Sequence, residues 1–210
     1  MEKTTFLKIS LLAVLGLASV VFNACKDDES KPTDQKITDV GVVINGVTWA
    51  TRNVDAFGTF TEKPESVGMR YQWNHTKAWN DTDTTKVNWD DNPNGTTWEK
   101  ANDPSPAGWR VPTKEEQESL FDTEKVTNEK TTQNGVAGWK FTDKSKGTSL
   151  FFPVIFRNNS NVILYWSSTP KSKEDNSAYC LMFYRNDDKA ANVGMHYKFL
   201  PQQIRSVLAK

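Results

Sequence analysis

Apolar residues in this chain fall into short runs separated by long polar stretches, and each run carries its own structural signal. The first, residues 9–22, is a 14-residue largely apolar run behind Lys3 and Lys8. It is too short to span a bilayer, which takes about 20 apolar residues. Residues 26–36 (KDDESKPTDQK) are polar and charged, without a large apolar side chain, and predict a flexible tether. Two β-rich runs, 40–44 and 47–50, then flank Asn45-Gly46, which predicts a hairpin and starts the folded domain near residue 38. Residues 68–73 (GMRYQW) predict a further short strand. From Asn74 to Pro106 the chain is mostly Asn, Asp, Thr, Lys and Pro, with Trp79, Trp89 and Trp98 its only aromatics, and reads as a long loop pinned by tryptophans. Thr113 followed by Glu116 is a T-x-x-E capping box that opens a short helix with Leu120 and Phe121 at its buried end. Strand-like pieces follow at 138–141, 150–156, 162–167, 178–184, 195–200 and 204–208.

The N-terminal pattern has chemical content. A basic start, an apolar run and small Ala24 immediately before Cys25 make residues 1–24 a signal peptide. Cys25, Lys26, Asp27 and Asp28 together resemble the start of a mature bacterial lipoprotein. Phe22 and Asn23 stand where that group usually has a Leu and a small residue, a looser version found in Bacteroidetes. The Lys-Asp-Asp that follows resembles the signal sending Bacteroidetes lipoproteins to the outer face of the outer membrane. Cys25 is thus the expected lipidation site, with residues 25–37 as tether. The resemblance implies an outer-membrane, lipid-anchored protein facing the cell exterior.

Removing the leader leaves 24 basic and 25 acidic residues, so the chain is close to neutral and lacks the basic stripe that nucleic acid would require. Eight Trp and eleven Phe in so polar a chain predict a core built from aromatics. With Cys25 acylated, Cys180 is the one remaining thiol, so no intramolecular disulfide is expected despite an oxidising compartment. Cys180 lies in an apolar run, AYCLMFY over 178–184, where a cysteine behaves as a small buried hydrophobe.

A second resemblance covers residues 40–208. It rests on Gly46-Val-Thr-Trp49-Ala-Thr-Arg-Asn53-Val54, Gly58-Thr-Phe60, Tyr71-Gln-Trp73, the stretch NDPSPAGWRVPT over 102–113, Tyr165-Trp-Ser-Ser-Thr169 and Ile204-Arg-Ser-Val207. In this order they resemble the Fibrobacter succinogenes major paralogous domain, of C-type-lectin-like fold. Trp109-Arg-Val-Pro-Thr113 and the acidic helix after it also resemble the formylglycine-generating group. The resemblance implies an α+β fold for residues 38–210: a single lectin-like domain of irregular antiparallel sheets with one or two short helices and long loops. It implies no activity, because a fold does not fix one. The related domain usually carries Cys where this chain has Ser105 and Ser206. The resemblance therefore implies that these serines lie within disulfide reach, with Cα atoms about 5 to 7 Å apart. The copper site of the formylglycine-generating group resembles one needing two thiolates, and Cys180 alone does not supply it.

Other chemistry is sparse. His75 and His196 are the only histidines, in no zinc spacing, and no G-x-S-x-G elbow is present. Asp90-x-Asn92-x-Asn94-Gly95 matches the first half of a calcium loop, but Ala101 stands where the bidentate Glu belongs, and a Pro-Asn-Gly turn explains the same residues. Trp79-Asn80-Asp81 spells a lectin calcium triplet at the wrong place in the chain, and Asp83-Thr84-Thr85 resembles a Bacteroidetes O-glycosylation acceptor. Trp79, Trp89 and Trp98 remain as candidate ligand-binding residues, since an exposed indole can stack on a sugar or anchor a protein; the alternative is that they pin the loop. The expectation is a non-enzymatic domain without cofactor that binds an extracellular glycan or protein. The alternatives are an assembly subunit of a surface complex or fimbria, and a polysaccharide hydrolase.

Overall fold

Asn45 and Gly46 both adopt positive φ, 46° and 78°, as a two-residue type I′ turn demands, and β1 (Val42–Ile44) pairs with β2 (Val47–Trp49) across it. The hairpin forms where the sequence predicts it. The computed structural model describes residues 38–80, 95–156, 160–172, 175–186 and 191–210. All of these belong to one structural unit. Along the chain follow β3 (Arg70–Tyr71), β4 (Ala78–Trp79), a 3-10 turn at Lys100–Asn102, β5 (Trp109–Arg110), α1 (Lys114–Glu118) and a second 3-10 turn at Ser119–Phe121. Then come β6 (Val126–Gln133), β7 (Val136–Asp143), β8 (Ser149–Pro153), β9 (Val162–Pro170), β10 (Ser177–Tyr184), β11 (Ala191–Tyr197) and β12 (Val207–Leu208). They form sheets in the orders β1-β2-β12-β5, β6-β7-β8, β11-β10-β9 and β3-β4, with every strand pair antiparallel. Mostly antiparallel sheet with one short α-helix is a β-rich α+β architecture.

The helix begins as predicted. Thr113 Oγ1 accepts from Glu116 N at 3.3 Å, and Glu116 Oε2 accepts from Thr113 N at 2.8 Å. The sequence did not signal that Arg110 grips the same carboxylate with both guanidinium nitrogens, at 2.8 and 2.6 Å. Burial pushes the Glu116 carboxyl up, but the hydrogen bonds from Arg110 and Thr113 outweigh it and hold the group below the usual carboxylate range.

In the β9–β11 sheet, β9 and β10 bury side chains on both faces, while β11 is mostly exposed. Tyr165, Leu181 and Phe183 join Trp49, Phe141 and Phe152 in one core, while Leu164, Trp166, Cys180 and Met182 join Tyr71, Trp73 and Ile204 in the other. Burial on both faces explains why β10 is a continuous apolar run rather than an alternating one. Phe152 organises the first core: its ring lies 5.1 to 6.1 Å from those of Trp49, Phe141, Tyr165 and Phe183. Such pairs add about 0.5–1.5 kcal/mol each beyond the area they bury.

The C-terminal segment stitches these layers together. Tyr71 and Gln202 exchange both backbone bonds (2.8 and 2.9 Å), Val54 N reaches Ile204 O (3.0 Å), Ala50 N reaches Ser206 O (2.9 Å), and Trp166 N reaches Gln203 O (2.9 Å). Arg205, at the middle of this seam, is 1% exposed. Its Nε donates to Asn53 Oδ1 at 2.8 Å, its Nη1 donates to Ala50 O at 3.1 Å, and its guanidinium lies 5.0 Å from the Phe152 ring centroid. Burial pulls its pKa down to about 10, which still leaves it charged at neutral pH.

Two departures from the sequence reading have physical causes. β6 was not predicted, because VTNEKTTQ leaves most side chains exposed and shows no apolar alternation. Its register comes from the Asn134-Gly135 turn, φ 48° and 83°, and an eight-pair ladder with β7. β11 starts at Ala191 rather than 195 and ends at Tyr197, since the backbone of Lys198 turns away to bond Asn176 O and Trp73 N.

Ser105 Oγ and Ser206 Oγ are 2.7 Å apart and share a hydrogen bond, so the two positions meet as the resemblance implies. Replacing both by cysteine should form a disulfide closing a loop of 101 residues. Mass spectrometry should then find one free thiol in the folded domain, and the oxidised form should be stabilised by roughly 2–4 kcal/mol over the reduced one.

Asp143 clasps two turns: Oδ2 accepts from Asn45 N, while Oδ1 accepts from Ser145 N, Ser145 Oγ and Lys146 N, at 2.6 to 3.0 Å. Led by the Ser145 hydroxyl, these donors lower its carboxyl pKa to about 2. A depressed carboxylate stabilises the fold above its unfolded pKa and loses that contribution as pH falls through the folded value. The Asn45, Ser145 and Lys146 amide resonances should accordingly titrate together with a midpoint near 2 rather than near 3.8, the ordinary aspartate value.

Candidate functional site

The tryptophans proposed as ligand contacts sit differently from one another. Trp79 lies in β4 opposite Arg70, is 9% exposed, and has the Lys77 ammonium 4.0 Å from its ring centroid. It anchors the loop and offers no open stacking face. Trp98 is half-buried, packs edge-to-face on Trp73 with centroids 5.3 Å apart, and donates its indole N–H to Asp103 Oδ2 at 3.2 Å. Trp89 lies outside the described residues, as do most of the calcium-like loop and the Asp83-Thr84-Thr85 triplet.

The described residues instead bring together a groove centred on Glu65. Its first wall is the 61–69 loop. Asn53 Nδ2 holds Ser66 O and Val67 O at 3.3 and 2.9 Å, Thr61 N bonds Asn53 O at 2.9 Å, and Met69 N bonds Val54 O at 3.2 Å. Gly68 is required there: its φ is +68°, and a Cβ would sit 2.2 Å from Val54 O. The second wall is the β6–β7 turn. The third is the chain leaving β8, docked by Val154 N to Ala137 O at 2.9 Å. Three open cavities share these walls. One of about 580 Å³ reaches Asp55, Glu62 and Asn80, one of about 740 Å³ lies between Lys63 and Asn134, and one of about 420 Å³ is floored by Val136, Ile155 and Phe156. Glu65 lines the first two, Val136 the last two, and Ile155 the first and third.

Glu65 is 8% exposed, and its Oε1 accepts from Gln133 Nε2 at 2.8 Å and Asn134 Nδ2 at 2.6 Å. It therefore ties the first wall to the second. The Gln133 amide, against the opposing effect of burial, holds the carboxyl below its ordinary value, so it is ionised at neutral pH. Neither amide reaches Oε2, and among the described residues no side chain donates to it. On the far side, Arg185 lies over the Phe156 ring at 5.0 Å.

Among the described residues, no cluster of three or more His, Cys, Asp or Glu side chains is placed to hold a metal ion. His196 is partly buried, which lowers its pKa, and its Nδ1 lies 3.5 Å from Gln202 Nε2. Cys180 has no exposed surface, its thiol faces Gly194 O at 3.9 Å, and burial pushes its pKa up to about 12. It is a core residue, as its apolar run suggests. Sequence reasoning missed Glu65 because one acid among many carries no local mark, and the amides that define it are 68 and 69 residues away.

No family model matches the chain, and no curated protein and no solved structure matches it significantly.

A thiol held this far from ionisation and water is unreactive. At pH 8 a disulfide reagent should label Cys180 at least ~100-fold more slowly in the folded domain than in the urea-unfolded chain.

Proposed function

We propose that this chain is a lipoprotein tethered through Cys25 to the outer face of a bacterial outer membrane, with a non-catalytic domain that binds an extracellular glycan or protein. The observation that carries the binding reading is the Glu65 groove: an open site of mixed polar and apolar lining, walled by three separate segments and tied together by a buried carboxylate. Sites of a few hundred cubic ångströms with a few convergent polar groups are the usual form of a small-ligand contact. Positioning of the domain outside the cell rests on the apolar run at 9–22, the Cys25-Lys-Asp-Asp start and the polar tether. We carry the relation to the Fibrobacter succinogenes major paralogous domain, and its C-type-lectin-like fold, as part of the same proposal. Irregular antiparallel sheets around one short helix and the meeting of Ser105 with Ser206 support it.

A second reading, an assembly subunit of a surface complex or fimbria, is favoured by β11. This strand pairs only with β10 among the described residues, carries no charged side chain, and exposes Met195 (44%) and Tyr197 (57%). Uncharged edge strands are templates for pairing with another chain.

Metabolic labelling with an alkyne fatty acid tests the anchor. Wild type should incorporate the label and fractionate with outer membranes, whereas Cys25→Ala should lose the label entirely. An equal label on both would refute the anchoring.

A further inference from the structure

We propose that the uncharged outer face of the β1-β2-β12-β5 sheet, with Trp109 and Leu208 at its centre and Val40 and Phe57 beside it, rests on the lipid surface in which Cys25 is anchored. The inference rests on the anchoring half of the reading above and adds which side of the domain meets the membrane.

Register defines the face. Val42, Ile44, Val47, Trp49 and Val207 point into the first core. Side chains alternate along a strand, so Val43, Thr48 and Leu208 stand on the opposite face, and Trp109, paired with Leu208, joins them. None of the four carries a charge. Trp109 is half-buried: its ring packs edge-to-face on Phe60 with centroids 5.6 Å apart and reaches across to Gly41. A Cβ on Gly41 would lie 2.8 Å from the indole Cη2 and 2.8 Å from Thr48 Cγ2, so glycine leaves room for the ring. The turn at 55–59 docks on the chain leading into β5 through Gly58 N to Pro104 O at 2.9 Å, and it carries Phe57. Of the large apolar side chains exposed among the described residues, Val40 (92%), Phe57 (52%) and Leu208 (46%) border this face, whereas Met195 and Tyr197 lie on β11. Apolar side chains gathered in this way mark a contact surface.

The point where the chain enters the domain says what covers it. The Asp39 side chain is 1% exposed, and its carboxylate accepts from Gly41 N, Thr51 N, Thr51 Oγ1 and Arg52 N at 2.7 to 3.1 Å. The junction with residues 25–37 is therefore clamped two residues from Gly41 and the Trp109 ring. Those 13 residues reach at most about 45 Å even when fully extended. So short a link holds the domain at an effective concentration on the order of millimolar at the bilayer, where a weak apolar contact suffices. Contact through the face beside the junction needs the least extension of the link. A partly exposed indole among aliphatic side chains suits the boundary between headgroups and acyl chains, where one end of the ring system is apolar and the other wet. A second copy or another protein could also cover an apolar face. The bilayer is favoured because the anchor keeps it always within reach, while a protein must be met by diffusion.

The test uses the full lipoprotein, extracted from outer membranes and reconstituted into vesicles of phosphatidylethanolamine and phosphatidylglycerol. With Cys25 acylated and Cys180 sealed in the core, Leu208→Cys supplies one reactive thiol for a fluorophore. Nitroxide-labelled lipid in the vesicles should quench a label at position 208 and leave one on Met195→Cys in β11 unquenched. Val40→Asp combined with Phe57→Asp, both at exposed positions, should abolish the quenching at 208 while the protein still floats with the vesicles. Flotation without quenching at either site would overturn the proposal and leave the anchor standing. Equal quenching at both sites, or quenching at 195 alone, would also overturn it. Protection of the 208 label from aqueous iodide without lipid quenching would assign the face to a second copy or another protein. Protein that does not float with the vesicles would refute the anchor, and the proposal falls with it.

Discussion

A single buried cation constrains most of this domain. Arg205 is charged at neutral pH and 1% exposed, and among the described residues no carboxylate contacts it directly; Asn53 Oδ1, Ala50 O and the face of Phe152 take the place of a counter-ion. A buried charge loses several kcal/mol of hydration, so its few hydrogen bonds must be held in place. Both come from the 50–54 segment, and the facing ring comes from β8. Asn53 is itself fixed, since its amide nitrogen bonds Ser66 O, Val67 O and the Tyr165 hydroxyl, which in turn donates to Pro153 O. The C-terminal seam, the 50–54 segment, the β9–β11 sheet and the end of β8 are thereby joined through one connected set of polar groups. The Glu65 groove inherits its first wall from this set, because the Asn53 amide holds the 61–69 loop.

Much of this was legible in the sequence where the cause was local. The Asn45-Gly46 turn and the Thr113–Glu116 cap depend on residues within a few positions of each other, and both formed as predicted. The two-faced burial of β10 was written in its unbroken apolar run. β6 was not legible from periodicity, because a strand with one edge and most side chains in solvent needs no alternation; its Asn-Gly turn was the available signal. The groove was hidden for another reason. Its defining contacts join Glu65 to Gln133 and Asn134, and a pairing that distant leaves no trace in spacing.

The residues that carry the family resemblance turn out to be structural. Trp49 and Trp166 are fully buried, Asn53 and Arg205 form the polar hub, Arg110 locks the helix cap, and Asp103 accepts from Ser105 N, Val111 N and Trp98. Such a motif specifies how the chain folds and says nothing about what it binds. The groove is walled mainly by segments outside the motif: the 61–69 loop, the β6–β7 turn and the chain leaving β8.

The Ser105–Ser206 pair has a consequence for how such a domain matures. A hydrogen bond of 2.7 Å, rather than a covalent bridge, joins these two positions 101 residues apart. Cys180, the one thiol of the described residues, is sealed in the core. Conformational closure then involves no oxidant, no isomerase and no mispaired intermediate, steps that take seconds to hours in bridged proteins. Closure of the domain waits on no disulfide chemistry, and its folded state is indifferent to the redox poise of the surroundings.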